Sequence, residues 1–97
     1  MNKTLTFHAD PAHGWLEVPA HELYFLNIAH KISRYSYTDT MKVYLEEDCD
    51  AALYFNAAKR NGWNITTTEK FTNGESFIRR LPKFTAIEGF KGKGLLP

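Results

Sequence analysis

The stretch EEDCDAALYFNAAKRNG, residues 46–62, has a readable start, apolar face and end, and it predicts an amphipathic helix. Asp48 is a favourable N-cap, and the acids around it suit the positive end of the helix dipole. Lys59 and Arg60 occupy the last turn, and Asn61-Gly62 provides a left-handed stop. An apolar stripe at i, i+3, i+4 and i+7 needs a sheet to cover it; its members are Ala51, Tyr54, Phe55 and Ala58.

Strand patterns flank this helix on both sides and predict three hairpins. Turn residues occur at 10–14 and 38–40, and Asn73-Gly74 is a strong type I′ hairpin signal. A second helix is predicted at 20–28, because Pro19 suits a helix start and the segment is apolar on nearly every side. The strands are predicted at 4–8, 15–18, 31–37, 41–45, 63–71 and 75–81. The order ββαββαββ predicts an α+β fold in which antiparallel hairpins form a sheet packed on two helices.

The length and composition are those of one small globular domain. Of the 97 residues, 43% are apolar and 24% are charged, so we expect a single hydrophobic core over residues 1–84. Residues 85–97 contain three glycines and no hydrophobic period, which predicts a flexible C-terminal tail.

The cysteine content and the hydropathy pattern bear on the compartment. One cysteine cannot form an internal disulfide, which is typical of a reducing compartment. No apolar run approaches the roughly 20 residues of a membrane span, and the N-terminal segment does not have the pattern of a signal peptide. We therefore expect a cytoplasmic protein without membrane contact. Exposed edge strands allow either a monomer or a homodimer.

The charge is divided unevenly along the chain. Residues 1–48 carry 4 basic and 7 acidic side chains, and residues 49–97 carry 8 basic and 4 acidic ones. The net charge is only +1. Proteins that bind nucleic acid without sequence preference show a larger positive excess, so the balance argues mildly against that class.

The acidic run at the start of the main helix is the first candidate site. Its members are Glu46, Glu47, Asp48 and Asp50. They form a negative patch suited to a basic partner surface, and carboxylate oxygens are also ligands for a divalent cation. The alternative is that these acids only complement the helix dipole and remain solvated.

A second candidate set combines basic and aromatic side chains: Arg34, Tyr35, Tyr37, Arg79 and Arg80. Aromatic rings stack on unpaired bases, and arginines neutralise phosphates, so this set is typical of a surface for single-stranded nucleic acid. Tyrosines in strands are equally ordinary components of a sheet surface or core.

A third set consists of His8, Asp10, His13 and Cys49, which would serve a small enzyme or a metal protein. The spacing matches no zinc motif, and histidines are common at turns and strand ends. Cys49 has neighbouring carboxylates that disfavour its thiolate. No catalytic constellation is readable, and we expect neither an enzyme nor a bound cofactor or metal.

Two stretches resemble a known group of proteins. The first is DPAHGWLEVP at 10–19, and the second is KISRYSY at 31–37 followed by YLEEDCDA at 44–51. They resemble short uncharacterised proteins encoded by bacteriophages, prophages and plasmids, with a likeness from about residue 4 to 84 that includes NGESFIRRLP at 73–82. Ala12 stands where such proteins would have glycine, which affects the turn type only.

The resemblance implies a context and no catalytic or ligand residue. Small proteins of mobile elements are often binding modules that block or redirect a host machine, anti-CRISPR and other anti-defence inhibitors among them. We therefore expect a non-enzymatic interaction protein that binds a host protein or nucleoprotein complex in the bacterial cell. The alternatives are a small nucleic-acid-binding protein and a small enzyme or metal-binding protein.

Overall fold

The computed structural model describes residues 1–86 and has an α+β fold, which confirms the predicted class. Within these residues a five-stranded mixed sheet carries two α-helices and is accompanied by two short 3-10 turns. The strands are β1 (Asn2–Ala9), β2 (Gly14–Pro19), β3 (Tyr37–Asp39), β4 (Lys42–Glu46) and β5 (Asn64–Phe71). The helices are α1 (Ala20–Phe25) and α2 (Asp50–Arg60), and the 3-10 turns are Ala29–Lys31 and Phe77–Arg80.

The strand order is β3-β4-β2-β1-β5, and one pair in the sheet is parallel. The β1–β2 and β3–β4 pairs are antiparallel hairpins, and β2 pairs antiparallel with β4 although α1 and β3 lie between them in the sequence. Helix α2 carries the chain from β4 to the far edge, where β5 pairs with β1 in parallel from Asn2↔Asn64 to Ala9↔Phe71. The expectation that antiparallel hairpins form the whole sheet is therefore wrong at this edge.

The last predicted strand, at 75–81, is replaced by a 3-10 turn. Gly74 adopts a φ of 119°, but the chain after it does not return along β5. The Ser76 side chain accepts a hydrogen bond from the Ile78 backbone N–H, and the Ser76 N–H donates to Asp10. These contacts draw the segment to the β1–β2 turn, where it covers the sheet face opposite the helices.

The third predicted strand, at 31–37, is mostly irregular. Only Tyr37–Asp39 forms β3, and the following turn includes Thr40 with a φ of 38°. Residues 33–36 leave the strand conformation because Ser33 and Ser36 donate hydrogen bonds to Asp50 of α2. A tertiary contact thus overrides the local period-2 pattern.

The main core lies between the sheet and the two helices. Helix α2 buries Ala51, Tyr54 and Ala58 as predicted, whereas Phe55 is 36% exposed and Ala57 is buried in its place. Three of the four predicted stripe residues are therefore buried, and the buried face includes Ala57 in place of Phe55. Sheet residues that complete this core include Leu16, Val18, Val43 and Leu45.

The C-terminal part of the described chain wraps around the β3 edge. Ile78 packs with Trp15 and Tyr44 on the outer sheet face. Pro82 then accepts a hydrogen bond from Thr38 N–H, and Phe84 N–H donates to Ser36 before the Phe84 ring enters the main core. The core therefore reaches the end of the predicted domain at 84. Apart from Thr85 and Ala86, the predicted tail at 85–97 lies outside the described residues.

Within residues 1–86, neither helix has the length and apolar character needed to cross a bilayer.

Candidate functional site

A groove of about 430 Å³ lies at one end of the sheet, where β2 begins and β4 ends. It brings together residues from two candidate sets that are far apart in the sequence. The acidic run contributes Glu46, Glu47 and Asp48, and the basic-aromatic set contributes Tyr35, Tyr37 and Arg79. Further lining residues are His13, Gly14, Trp15, Ser33, Cys49 and Lys83. We call this feature the end groove.

Asp50, one of the four predicted partner-binding acids, is not available to a partner. Asp50 is only 1% exposed to solvent. One of its carboxylate oxygens accepts hydrogen bonds from the Ser33 N–H at 2.9 Å, the Ser33 hydroxyl at 2.7 Å and the Ser36 hydroxyl at 2.6 Å. Asp50 therefore attaches the start of α2 to the 33–36 loop that forms one wall of the end groove.

Glu46 is also occupied within the fold, because it caps helix α2. Its carboxylate accepts hydrogen bonds from the backbone N–H groups of Asp48, Cys49 and Asp50. Partial burial raises the pKa of Glu46, but these N–H donors, that of Asp50 foremost, outweigh it and hold the pKa below its usual range. The predicted N-cap at Asp48 is wrong: the helix begins at Asp50, and the capping carboxylate comes from the end of β4.

Glu47 and Asp48 remain as the accessible part of the acidic run. Both residues are exposed, and both line the end groove. Gly14 leaves room chiefly for the Phe7 ring of β1, which a Cβ at this position would clash with, and that Cβ would also lie 3.1 Å from Glu47 Oε1. The exposed Cys49 lines the groove beside them.

Arg79, predicted to contact nucleic acid, is held by Asp10 instead. Its Nε donates to Asp10 Oδ2 at 2.8 Å, and its Nη2 donates to Oδ1 at 3.0 Å. The guanidinium also lies 5.2 Å from the centroid of the Trp15 ring. Hydrogen bonding to Asp10 raises the pKa of Arg79, and its charge is neutralised at the groove wall.

The tyrosines form the aromatic side of the end groove. Tyr35 is 73% exposed, whereas Tyr37 is half-buried on the edge strand β3. Lys83 Nζ lies 4.7 Å from the Tyr37 ring centroid and 5.9 Å from that of Tyr35. Arg34 and Arg80 are exposed but do not line the groove, so the structure divides the predicted nucleic-acid set.

The residues of the third candidate set do not form one metal or catalytic cluster among residues 1–86. His8 is buried and its Nε2 lies 2.7 Å from Glu17 Oε1, while Asp10 closes the β1–β2 turn and binds Arg79. His13 and Cys49 reach the end groove. Among residues 1–86, no three His, Cys, Asp or Glu side chains are grouped so that they could hold a metal ion.

Two residues of the site escaped the sequence interpretation. Lys83 follows the predicted last strand and carries no motif. The role of Asp10 as the acceptor for Arg79 depends on a contact across 69 positions, which no local pattern signals. The DPAHG turn at 10–14 did signal part of it, because Asp10 accepts the N–H groups of Ala12 and His13 there.

No protein-family model, curated protein or solved structure matches this chain. The resemblance to proteins of bacteriophages, prophages and plasmids stays a prediction.

Proposed function

We propose that this chain is a non-enzymatic interaction module whose end groove binds a basic segment of a partner protein. The observation that carries the proposal is that two exposed carboxylates, Glu47 and Asp48, line one groove together with the exposed Tyr35 ring. A carboxylate and an aromatic face together suit an arginine or lysine side chain, through a charge-assisted hydrogen bond and a cation–π contact.

The charge balance of the end groove favours a basic partner. Its walls carry Glu46, Glu47 and Asp48 against the two cations Arg79 and Lys83. Because Arg79 is neutralised by Asp10 and Glu46 is occupied as the cap of α2, the two accessible carboxylates of Glu47 and Asp48 remain against the single cation of Lys83 among the lining residues. A negative groove attracts basic surfaces during encounter and repels phosphates.

The kind of partner follows from the resemblance described above. A mobile-element protein of this size would bind a host protein or nucleoprotein complex in the bacterial cytoplasm and inhibit or redirect it, as anti-CRISPR and other anti-defence proteins do. The groove would then occupy a basic surface that normally holds nucleic acid.

The second candidate function is direct binding of single-stranded nucleic acid. The observation in its favour is the cluster of Tyr35, Tyr37 and Lys83, which pairs stacking surfaces with a cation. A mobility shift at low salt tests it directly. Binding that weakens steeply with added salt would support this function over the first.

The double variant Glu47→Lys, Asp48→Lys tests the primary proposal. The chain, immobilised and exposed to nuclease-treated bacterial lysate, should retain a stoichiometric protein, which is then purified for kinetics. Against that protein the double variant should bind about 10- to 100-fold more weakly, mainly through slower association. Both side chains are exposed, so the fold should remain intact.

The control is Asn56→Lys, which adds a positive charge at an exposed position of α2 that does not line the end groove. It should leave binding nearly unchanged. Equal affinity of the double variant and the control would reject the end groove as the binding surface. If a bound species is recovered only from lysate that was not treated with nuclease, the result would support nucleic-acid binding instead.

A further inference from the structure

Strand β5 presents a long open edge. It runs from Asn64 to Phe71, and seven of its eight residues are exposed. Within residues 1–86 no strand pairs with its outer side. The opposite edge of the sheet is different, because Pro82 and Lys83 pair with the short strand β3 through the Thr38 N–H bond and the Tyr37↔Lys83 bridge. Residues 1–86 therefore cover one sheet edge and leave the other unpaired.

The hydrogen bonds between β5 and β1 show which backbone groups of β5 point away from β1. Asn64 N–H donates to Met1, and Thr72 N–H donates to Ala9, so even-numbered residues point their N–H and C=O groups toward β1. Odd-numbered residues consequently point theirs outward. The outward set is Ile65, Thr67, Glu69 and Phe71.

The side chains of this edge match a second copy of themselves in one register. In an antiparallel pair centred on Thr68, Ile65 faces Phe71 of the second copy, and Thr67 faces Glu69. Ile65 and Phe71 lie on the helix side of the sheet, and Phe71 is 59% exposed without such a contact. Registers centred on Glu69 or Lys70 would instead place like charges opposite each other.

We propose that the chain forms a symmetric homodimer by antiparallel pairing of β5 with β5 of a second copy, centred on Thr68. The outward groups would form about eight new inter-strand hydrogen bonds and join the two sheets into one. An exposed edge is a template for another strand, and the facing of Ile65 and Phe71 without any facing like charges favours the same chain as the occupant. This interface is separate from the end groove and does not depend on the proposed function.

Sedimentation equilibrium of the full chain tests the dimer, and Thr67→Pro tests its location. Proline removes an outward N–H while leaving the N–H groups that bond β1, and edge strands tolerate it there. We expect the variant to keep the fold, by circular dichroism, and to weaken dimerisation by about 100-fold or more. Thr67→Val keeps the N–H and should dimerise like the parent chain.

Cysteine cross-linking tests the register. In a Cys49→Ser background, Thr68→Cys would face itself across a non-hydrogen-bonded pair with Cα atoms about 4.5 Å apart, which suits a disulfide. The matched variant Thr66→Cys lies on the same face, but its two copies would be roughly 14 Å apart. Oxidation should therefore give a covalent dimer of the first variant only.

Four results would overturn the proposal. One is a monomer at all concentrations up to about one millimolar, the weakest association considered specific here. The second is a dimer that Thr67→Pro does not weaken, and the third is cross-linking of Thr66→Cys in place of Thr68→Cys. The fourth is a monomer whose Ile65, Thr67 and Glu69 amides are protected from exchange, which would assign the edge to residues 87–97.

Discussion

Asp50→Ala is expected to lower the free energy of unfolding by about 3 kcal/mol, because it leaves three donors in and beside the core without their acceptor. Those donors are the Ser33 N–H and the hydroxyls of Ser33 and Ser36. The same substitution also detaches the 33–36 loop from helix α2. Urea denaturation of parent and variant measures the change, and the loop should show faster amide exchange.

Asp48→Ala is the matched control for this prediction. Asp48 is an exposed acid two positions earlier, and its replacement should change stability by less than about 0.5 kcal/mol. If both variants were equally stable, Asp50 would not have the structural role assigned to it. Asp50→Lys is therefore not a test of direct partner contact, because a variant that unfolds would lose partner binding for that reason alone.

The second large effect is expected at Asp10, which joins the β1–β2 turn to the 3-10 turn at Phe77–Arg80. Its carboxylate accepts the N–H groups of Ala12, His13 and Ser76 as well as the Arg79 guanidinium. Asp10→Ala should lower the thermal midpoint of unfolding by several degrees and release the segment that covers the outer sheet face. Near-ultraviolet circular dichroism of Trp15, which contacts Arg79, would report that release.

This contact also predicts how stability depends on pH. The Arg79 guanidinium foremost, helped by the backbone donors and opposed by burial, holds the pKa of Asp10 well below its usual range. The folded chain therefore binds fewer protons than the unfolded chain just below the unfolded carboxyl's pKa of about 4. The resulting stability is fully present above that pH and declines as the pH falls toward the lower pKa of the folded state.

Urea denaturation at neutral pH and at about pH 3, which is below the pKa of an unperturbed carboxyl group, measures this dependence. Asp10→Asn should lose stability at neutral pH and show a smaller further loss in acid than the parent chain. Glu69→Gln, at an exposed acid on β5, should keep the parent's pH dependence. An unchanged dependence in Asp10→Asn would contradict the assigned role of this carboxylate.

The end groove depends on both of these buried carboxylates. Asp50 fixes the 33–36 loop that carries Tyr35 at its tip, and Asp10 fixes Arg79 against Trp15. The accessible acids Glu47 and Asp48 line the same groove. If substitution of Asp10 or Asp50 weakens partner binding, the cause is accordingly a change in groove geometry. If substitution of Glu47 and Asp48 weakens it, the cause is the loss of direct contacts.

Features that depend on neighbouring residues were predictable. Helix α2 ends at Arg60 and Gly62 takes a φ of 82°, as the terminal basic residues and the Asn-Gly pair indicate. The 10–14 turn forms where aspartate, proline and glycine cluster, and the first two strands pair across it. In each case the controlling interaction spans only a few residues, so the local sequence contains it.

Features that depend on distant residues were not predictable from periodicity. The 75–81 segment has the pattern of a strand, but Asp10 and the Ser76 cap hold it as a 3-10 turn. The 31–37 segment alternates like a strand, but Asp50 recruits its two serines. A short segment gains little from its own propensity, so a few buried hydrogen bonds decide its conformation.

The sequence by itself determined the α+β class, helix α2 with most of its buried face, the first hairpin and part of the residues that line the end groove. Only the tertiary structure decided which acids of residues 46–50 are exposed, that Arg79 is neutralised, and that β5 pairs in parallel with β1. The physical reason is the distance along the sequence over which each kind of interaction acts. Caps, turns and amphipathic periods act within a few residues, whereas burial and the pairing of charges are settled by residues that meet only after the chain has folded.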